Sequence, residues 1–316
     1  MQFYHQPIML KEVIEGLDLK PSSFVVDCTV GGGGHSSEIL KIIKNGHLLA
    51  LDKDDDALAY CKERFKDFKN VTFAKTDFKD FKNVLARHGI EKVDAILVDL
   101  GVSSHQLDAA ERGFSFRFDG KLDMRMDKTQ ALTAFDVVNT YSKADLSRII
   151  RIYGEERFAN QIANNIVAKR KQKPIETTLE LKQIIENSIP AKFVYKGGSK
   201  RTFQAIRIEV NSELNGLSEA LNDMIDCLAP NGRIAVLTFH SLEDRIVKEV
   251  FRFNAKGCIC PPSAPICICN HKPKLEIINK TPITPTASEQ ATNPRSTPAK
   301  LRLGRGGPTA IVNDKR

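Results

Sequence analysis

Residues 24–36, Phe-Val-Val-Asp-Cys-Thr-Val-Gly-Gly-Gly-Gly-His-Ser, decide the fold of the first half of this chain. Phe24–Val30 is a short apolar run with β-branched residues, which predicts a buried strand. Four glycines end the strand, and the apolar residues between positions 39 and 43 then have helical spacing. A strand, a glycine turn and a helix in this order are typical of an α/β domain whose helix N-terminus faces a ligand.

The same alternation continues along the chain and then stops. Strands are predicted at 47–52, 70–75 and 93–100, with a helix from about 54 to 65, so we expect a parallel α/β sheet. Residues 143–190 have only helical patterns, before a helix at about 204–228 and a strand at 233–239. We therefore predict an α/β domain in two parts, 1–107 and 204–316, with an inserted loop and helical domain at 108–203. The polar segment 281–298 is predicted to be mobile.

The charge of the chain is concentrated in the predicted helical segment. The 316 residues contain 47 Lys and Arg against 39 Asp and Glu, a net charge of +8. Residues 141–207 alone contain 14 basic and 6 acidic residues, which accounts for the whole excess. Such a local excess indicates either a polyanion partner, of which nucleic acid is the commonest, or a solvated helical face.

The expected compartment follows from what the sequence does not contain. It has no apolar run of 18 residues and no secretory signal at its beginning, so we expect neither a membrane partner nor export. Seven cysteines without an export signal favour a reduced, cytoplasmic protein.

Acidic residues stand at the ends of the predicted strands. Asp27 lies near the end of the first strand, four residues before the first glycine of the loop, Asp52 and Asp99 stand at the ends of two others, and Asp77 with Phe78 follows another. A dinucleotide would bring a pyrophosphate that Asp27 repels, whereas S-adenosylmethionine brings an ammonium and a sulfonium that carboxylates attract. Asp52 fits the ribose hydroxyls of either ligand. Asp77 suits an adenine amino group and Phe78 an adenine face, so S-adenosylmethionine is the favoured ligand.

Nine sequence blocks along the chain form a recognisable set. The blocks are His5–Leu10, Gly33–Ser36, Asp99–Ser104, Glu111–Phe116, Leu122–Asp127, Tyr153–Phe158, Arg201–Ala205, Val210–Leu214 and Phe239–Arg245. Together they resemble the MraW/RsmH family, bacterial methyltransferases that modify N4 of a cytosine in small-subunit (16S) ribosomal RNA. Residues 293–295 with 300–302 also resemble the end of these proteins.

This resemblance implies a Rossmann-like class I S-adenosylmethionine-dependent methyltransferase domain with an inserted all-helical domain that helps to bind RNA. It implies methyl transfer to a cytosine near the decoding centre, with ribosomal RNA in the small subunit as the partner and no obligatory protein partner. The cofactor residues that it implies are Gly33, Gly34, His35, Asp52, Phe78, Asp99 and Gln106. Asp27 and Asp77 join them from the strand-end argument.

The exocyclic amine of cytosine is a poor nucleophile, because its lone pair is delocalised into the ring. An acceptor for one N–H would help it towards tetrahedral geometry. Asp99 and the backbone carbonyl of Leu100 are the candidate acceptors, although Asp99 is alternatively committed to the cofactor. His240, after the last predicted strand, is a further catalytic candidate; the structural alternative there is a helix capped by Ser241.

RNA contacts are expected from a long loop predicted at 106–130 and from the inserted helical domain. The candidate basic residues are Arg112, Arg117, Arg125, Arg201 and Arg207. Phe114 and Phe116 are candidates for stacking on bases, although an alternating pair of this kind is as often part of a core.

Four cysteines form a separate cluster. Cys258, Cys260, Cys267 and Cys269 could supply the thiolates of a tetrahedral zinc site. The C-x-C spacing and the prolines at 261, 262 and 265 are unusual for such a site, so a reduced thiol-rich loop is the alternative.

Two other classes of function stay open at this point. One is a methyltransferase that acts on another amine, in DNA or protein. The other is a nicotinamide-dependent oxidoreductase, which Asp27 and the absence of a recognisable hydride-acceptor site disfavour.

Overall fold

The structure is a computed structural model that describes residues 7–194, 197–261, 266–269 and 271–307. Of the sequence features above, His5, Gln6, Pro262 and Pro265 lie outside these residues. Contacts divide the chain into two compact units. Residues up to Gly101 and from Gly216 form the sheet unit, and Val102–Asn215 form the helical unit.

A seven-stranded sheet organises the sheet unit, with the strand order β3-β2-β1-β4-β5-β7-β6. Its first five members pair in parallel, and β7 is antiparallel to both of its neighbours. The strands are β1 Phe24–Asp27, β2 His47–Asp52, β3 Val71–Lys75, β4 Val93–Asp99, β5 Leu228–Thr238, β6 Leu275–Ile277 and β7 Lys300–Gly306. The prediction of an α/β fold with a parallel sheet is therefore confirmed.

Helices cover both faces of this sheet and make up most of the helical unit. In the described residues they are α1 Leu10–Leu17, α2 Gly34–Ile42, α3 Asp55–Arg64, α4 Phe81–Arg87, α5 Ser104–Asp108, α6 Ala134–Thr140, α7 Lys143–Ile152, α8 Ala159–Arg170, α9 Thr178–Asn187, α10 Ala191–Val194, α11 Gly198–Asn211, α12 Leu217–Asp226, α13 Ser241–Asn254 and α14 Ala287–Thr292. None of the helices in the described part of the chain has the length and apolarity to cross a bilayer.

Each strand contributes side chains to two separate cores, because successive side chains point to opposite faces of the sheet. Val25 and Leu48 pack with buried residues of α1, α2 and α3. Val26 and Leu49 face the other way and pack with buried residues of α4, α12 and α13. Helices therefore pack on both faces of the sheet, and the carboxyl ends of its parallel strands lie together at one edge.

The helical unit has its own core of buried aliphatic side chains from α6, α7, α8, α9 and α11, among them Ile149, Ile162 and Ile206. Thr133 and Thr177 start α6 and α9 with capping boxes, in which the side chains of Asp136 and Glu180 accept from the cap residues. This part of the chain can therefore be described as a compact body in itself.

The chain between α11 and α12 differs from the continuous helix predicted at 204–228. Ser212 has a φ of 49° and Gly216 a φ of 72°, and two left-handed residues so close together end one helix before the next begins. Because α11 starts at Gly198, the domain boundary predicted at 203 falls inside this helix. The contacts place the change of unit at 215–216 instead.

The segment predicted to be mobile makes defined contacts. It contains α14, and the Glu289 carboxylate accepts a 2.8 Å hydrogen bond from the backbone amide of Met9. Ser296 is fully buried, and Ile283 pairs with Leu301 of β7. Polar side chains in this segment form hydrogen bonds within the protein. The polar composition, on which the prediction of mobility was based, does not reveal these contacts.

Candidate functional site

The loop after β1 is built around glycines with left-handed backbone angles. Gly31 has a φ of 49° and Gly33 a φ of 72°, conformations that side chains with a Cβ disfavour. A Cβ at Gly33 would also lie 2.7 Å from the Phe65 ring. The turn places the N-terminus of α2, at Gly34 and His35, next to the ends of the strands.

Asp27 lies inside this loop rather than on its surface. It is 1% exposed, its Oδ2 accepts a 2.6 Å hydrogen bond from Ser36 Oγ, and its Oδ1 accepts from the backbone amide of Thr29. Burial raises the pKa of Asp27 to about 6, against the lowering effect of these hydrogen bonds. Asp27 is therefore placed to tie β1 to α2, and Ser36 is a partner that the strand-end argument did not identify.

Asp52, at the end of β2, is partly exposed and holds two backbone amides. Its Oδ2 accepts from Gly31 at 2.8 Å and its Oδ1 from Asp54 at 2.9 Å. Burial raises its pKa to about 6. Because a carboxylate oxygen has two lone pairs, each oxygen can still accept a hydroxyl group.

Asp99, at the end of β4, has an oxygen without a partner. Its Oδ1 is buried and has no hydrogen bond within the described residues, although 29% of the side chain is exposed. Burial, and then the charges of Asp27 and Glu243, raise the pKa of Asp99 to about 8. A buried acceptor left unpaired costs about 1–3 kcal/mol, so this oxygen is suited to a donor from a ligand.

His35 faces Asp99 from the first turn of α2. It is 6% exposed, and its Nε2 lies 3.0 Å from the carbonyl of Ile8, which can only accept, so Nε2 donates. Nδ1 lies 3.7 Å from Asp99 Oδ2. The structure thus brings the predicted residues Gly33, Gly34, His35 and Asp99 together at one edge of the sheet.

Asp77 and Phe78 follow β3 at this edge. The Asp77 Oδ1 accepts from the backbone amide of Lys79 at 3.0 Å and starts a 3₁₀ turn at Phe78–Asp80. Its Oδ2 lies 3.5 Å from Lys53 Nζ, so the carboxylate already has a cation beside it. Phe78 is half-buried against the core below.

Leu100 and His240 follow β4 and β5. The amide of Leu100 donates to the Leu237 carbonyl at 3.1 Å, which continues the ladder past the end of β4. His240, not Ser241, caps α13: its Nδ1 accepts from the Glu243 amide, and the Glu243 carboxylate accepts from the His240 amide. The N-cap of α13, which the structural alternative assigned to Ser241, is therefore His240 itself.

Gln106 belongs to the helical unit and is 5% exposed. It forms a capping box with Ser103 at the start of α5, in which its Oε1 accepts from the Ser103 amide at 3.0 Å. One role of this predicted cofactor residue is therefore the local capping of α5.

Four of the five predicted RNA-binding arginines are engaged inside the helical unit. Arg112 is 4% exposed and donates to the carbonyls of Arg125 and Met126. Arg125 forms a two-point pair with Asp123, and its other contacts are the carbonyls of residues 128 and 130.

Arg201 and Arg207 are also paired, with Glu156 and Glu213 respectively. Within the residues that the structure describes, Arg117 alone of the five is exposed and has no ion pair. Each of the other four guanidinium groups already donates to acceptors inside the protein, so Arg117 is the candidate best placed to contact a phosphate. Phe114 is buried and Phe116 packs edge-on against Phe203, so both belong to the core.

Similarity to known proteins extends over almost the whole chain. The sequence profile of the MraW methylase family matches residues 2–305. The chain belongs to this family. The resemblance seen in the nine sequence blocks is thereby confirmed, and the α/β sheet unit is a Rossmann-like class I methyltransferase domain.

Curated relatives of this MraW-family chain match it along nearly its full length. A protein of Finegoldia magna is 52% identical over 307 residues, which cover 96% of this chain and 98% of the relative. A protein of Lachnospira eligens is also 52% identical with the same coverage, and one of Clostridium botulinum is 50% identical over 96% of this chain and 99% of its own. All three are named ribosomal RNA small subunit methyltransferase H.

Proposed function

We propose that this MraW-family protein transfers a methyl group from S-adenosylmethionine to the exocyclic N4 amine of a cytosine in small-subunit ribosomal RNA, near the decoding centre, in the cytoplasm. The family match supports methyl transfer, and the names of the relatives support this RNA as the substrate. The observation that carries the proposal is the unpartnered, buried Oδ1 of Asp99 beside the glycine loop.

The residues at the strand ends fit S-adenosylmethionine. Asp99 Oδ1 provides an acceptor for the ammonium group, and the remaining lone pairs of Asp52 provide acceptors for the ribose hydroxyls. The N-terminus of α2 at Gly34 suits the carboxylate, because helix N-termini attract anions. Phe78 offers a face to the adenine. When bound, this cofactor supplies an electrophilic methyl group on its sulfonium.

A dinucleotide fits the same residues less well. Asp27, Asp52 and Asp99 surround the loop with three carboxylates, none of which forms an ion pair with an arginine or lysine among the described residues. A pyrophosphate would lie among these acids, whereas a ligand with an ammonium and a sulfonium relieves their mutual repulsion.

The protein helps the cytosine amine by positioning it and by accepting one of its protons in a hydrogen bond. We assign that acceptor to the Leu100 carbonyl, since Asp99 is engaged with the cofactor. His240 is assigned a positioning role: its ring caps α13 and so fixes the backbone that leaves β5. No strong base is needed, because a methylated ammonium loses its proton readily.

The RNA contacts are assigned to the helical unit. Its segment from 141 to 207 carries the excess positive charge of the chain, and Arg117 is exposed on the preceding loop. A flipped or single-stranded cytosine is required, because the amine of a stacked base cannot reach a buried cofactor.

The experiment that tests the proposal is transfer of label from S-adenosylmethionine to small ribosomal subunits and to stripped ribosomal RNA, both from cells that lack the modification. We expect incorporation by the wild type and loss in Asp99→Asn. Asp226→Asn, an exposed acid that pairs with Lys274, is the matched control and should remain active. Failure of the wild type to label either substrate, although it binds the cofactor, would contradict the proposal.

A further inference from the structure

The loop between α13 and β6 brings four cysteines to one point. The Sγ atoms of Cys258, Cys260, Cys267 and Cys269 all lie within 4.8 Å of one another. The distance from Cys258 Sγ to Cys267 Sγ is 3.4 Å, that from Cys267 to Cys269 is 3.6 Å, and that from Cys269 to Cys258 is 3.7 Å. Four sulfur atoms from two C-x-C pairs therefore surround a single centre.

These distances match a metal site with tetrahedral geometry. A Zn–S bond of about 2.3 Å places the corners of a regular tetrahedron about 3.8 Å apart. Hydrophobic burial does not explain the cluster, because Cys258 and Cys267 are exposed and the other two are only half-buried. The remaining cysteines, Cys28, Cys61 and Cys227, are buried separately in the sheet unit, as thiols in a core usually are.

We propose that Cys258, Cys260, Cys267 and Cys269 bind one Zn²⁺ ion. All four positions of the tetrahedron are filled by the protein, so the site has no open position for a substrate and is structural. The backbone supports this assignment: the amide of Ile259 donates to Cys269 Sγ and that of Cys260 to Cys258 Sγ, both at 3.4 Å. Amide donors of this kind stabilise thiolates, the form that binds metal.

The location of the site indicates what the metal does. α13 starts at the carboxyl edge of the sheet, directly after β5, and its 14 residues lead to the opposite edge, where the cysteine loop begins. Phe253 packs against His271 with ring centroids 5.4 Å apart, and the Lys274 amide donates to the Asn254 carbonyl. The zinc ion would close a loop whose two ends are already held together, and so fix the entry into β6.

The test is metal analysis of the full-length protein, purified under reducing conditions without affinity metals and then incubated with Zn²⁺ and desalted. We expect one zinc ion per chain in the wild type and in Cys227→Ser, the control for an unrelated cysteine. The double variant Cys258→Ser with Cys267→Ser should lose the ion. Its circular dichroism is compared with that of the wild type, so that loss of metal is distinguished from loss of fold.

A second measurement needs no variant. Co²⁺ in place of Zn²⁺ should give the intense visible absorption of tetrahedral cobalt with sulfur charge-transfer bands, and Zn²⁺ should displace it. The absence of both stoichiometric zinc and these bands would overturn the proposal, as would zinc retained by the double variant. Two disulfides in the freshly reduced and desalted protein, or iron bound in preference to zinc, would equally contradict it. Methyl transfer is not a readout here, so this outcome is independent of the proposed function.

Discussion

The backbone amide of Asp99 donates a 2.7 Å hydrogen bond to Oγ1 of Thr29, which joins the end of β4 to the loop after β1. Thr29 in turn donates its own amide to Asp27, so one residue connects two of the strand-end acids. The position of the Asp99 carboxylate relative to the glycine loop therefore depends on a hydroxyl group to which we assign no ligand contact.

Replacement of Thr29 by valine should weaken cofactor binding without unfolding the protein. Valine keeps the shape but leaves the Asp99 amide without its acceptor, at a cost of about 1 kcal/mol or more. We expect the affinity for S-adenosylhomocysteine to fall about fivefold to tenfold in isothermal titration calorimetry. Thr29→Ser retains the hydroxyl and should bind like the wild type; equal losses in both variants would disprove this role for the hydrogen bond.

The raised pKa of Asp99 predicts opposite pH dependences for stability and for binding. Its folded pKa of about 8 lies above the unfolded value of about 3.9, so protonation favours the folded, ligand-free protein. The free energy of unfolding should therefore fall as the pH rises towards 8. Asp27 and Asp52, with pKa values of about 6, add to this fall below pH 6.

Binding of a cation requires the ionised carboxylate, so the affinity for S-adenosylhomocysteine should rise between pH 6 and pH 8. Asp99→Asn should lower the affinity and remove its rise with pH. In the ligand-free protein, the same substitution should raise the melting temperature at pH 8 more than at pH 6. Melting curves and calorimetry at both pH values check these statements. An affinity that is independent of pH in the wild type would show that Asp99 does not meet the ammonium group.

Gly33→Ala should lower the free energy of unfolding more than the same substitution at a left-handed glycine elsewhere, Gly89. The alanine would have both the strain of a φ of 72° and a Cβ 2.7 Å from the Phe65 ring. Gly89, with a φ of 68° and no atom within 4 Å of the position that a Cβ would take, has the strain alone. We expect Gly89→Ala to cost about 1 kcal/mol and Gly33→Ala about 1–3 kcal/mol more in denaturant unfolding. Equal costs would argue against a tight contact at Phe65.

Arg117, the exposed member of the five candidate arginines, should contribute to RNA binding through its charge. Arg117→Ala is expected to weaken binding of ribosomal RNA and to reduce the slope of log affinity against log salt by about 1, with no change in stability. Arg125→Ala, in contrast, removes the pair with Asp123 and should lower the melting temperature. Unchanged RNA affinity in Arg117→Ala, measured at several salt concentrations, would remove this residue from the interface.

The strand ends were predictable because their signals are local. β2 is predicted with its observed bounds and β4 ends one residue before its predicted end, whereas β1 ends at Asp27, three residues before the predicted end at Val30. Parallel pairing then brings these ends to one edge, whatever the details of the helices.

Partners that are distant in sequence were not predictable. Arg302 of β7 donates to Asp244 of α13 at 2.7 Å, across 58 residues, and together with Lys300 it lowers the pKa of that acid despite its burial. In the same way, nothing local distinguishes the buried Arg112, whose acceptors are main-chain carbonyls, from the exposed Arg117.

The central claim is most directly tested by the identity of the methylated nucleoside. Small subunits labelled by the wild-type protein are digested to nucleosides, which are separated and identified by mass spectrometry against synthetic standards. We predict that the label is in N4-methylcytidine. Label in another nucleoside, such as 5-methylcytidine or a methylated adenosine, would contradict the assignment of the cytosine amine as the nucleophile.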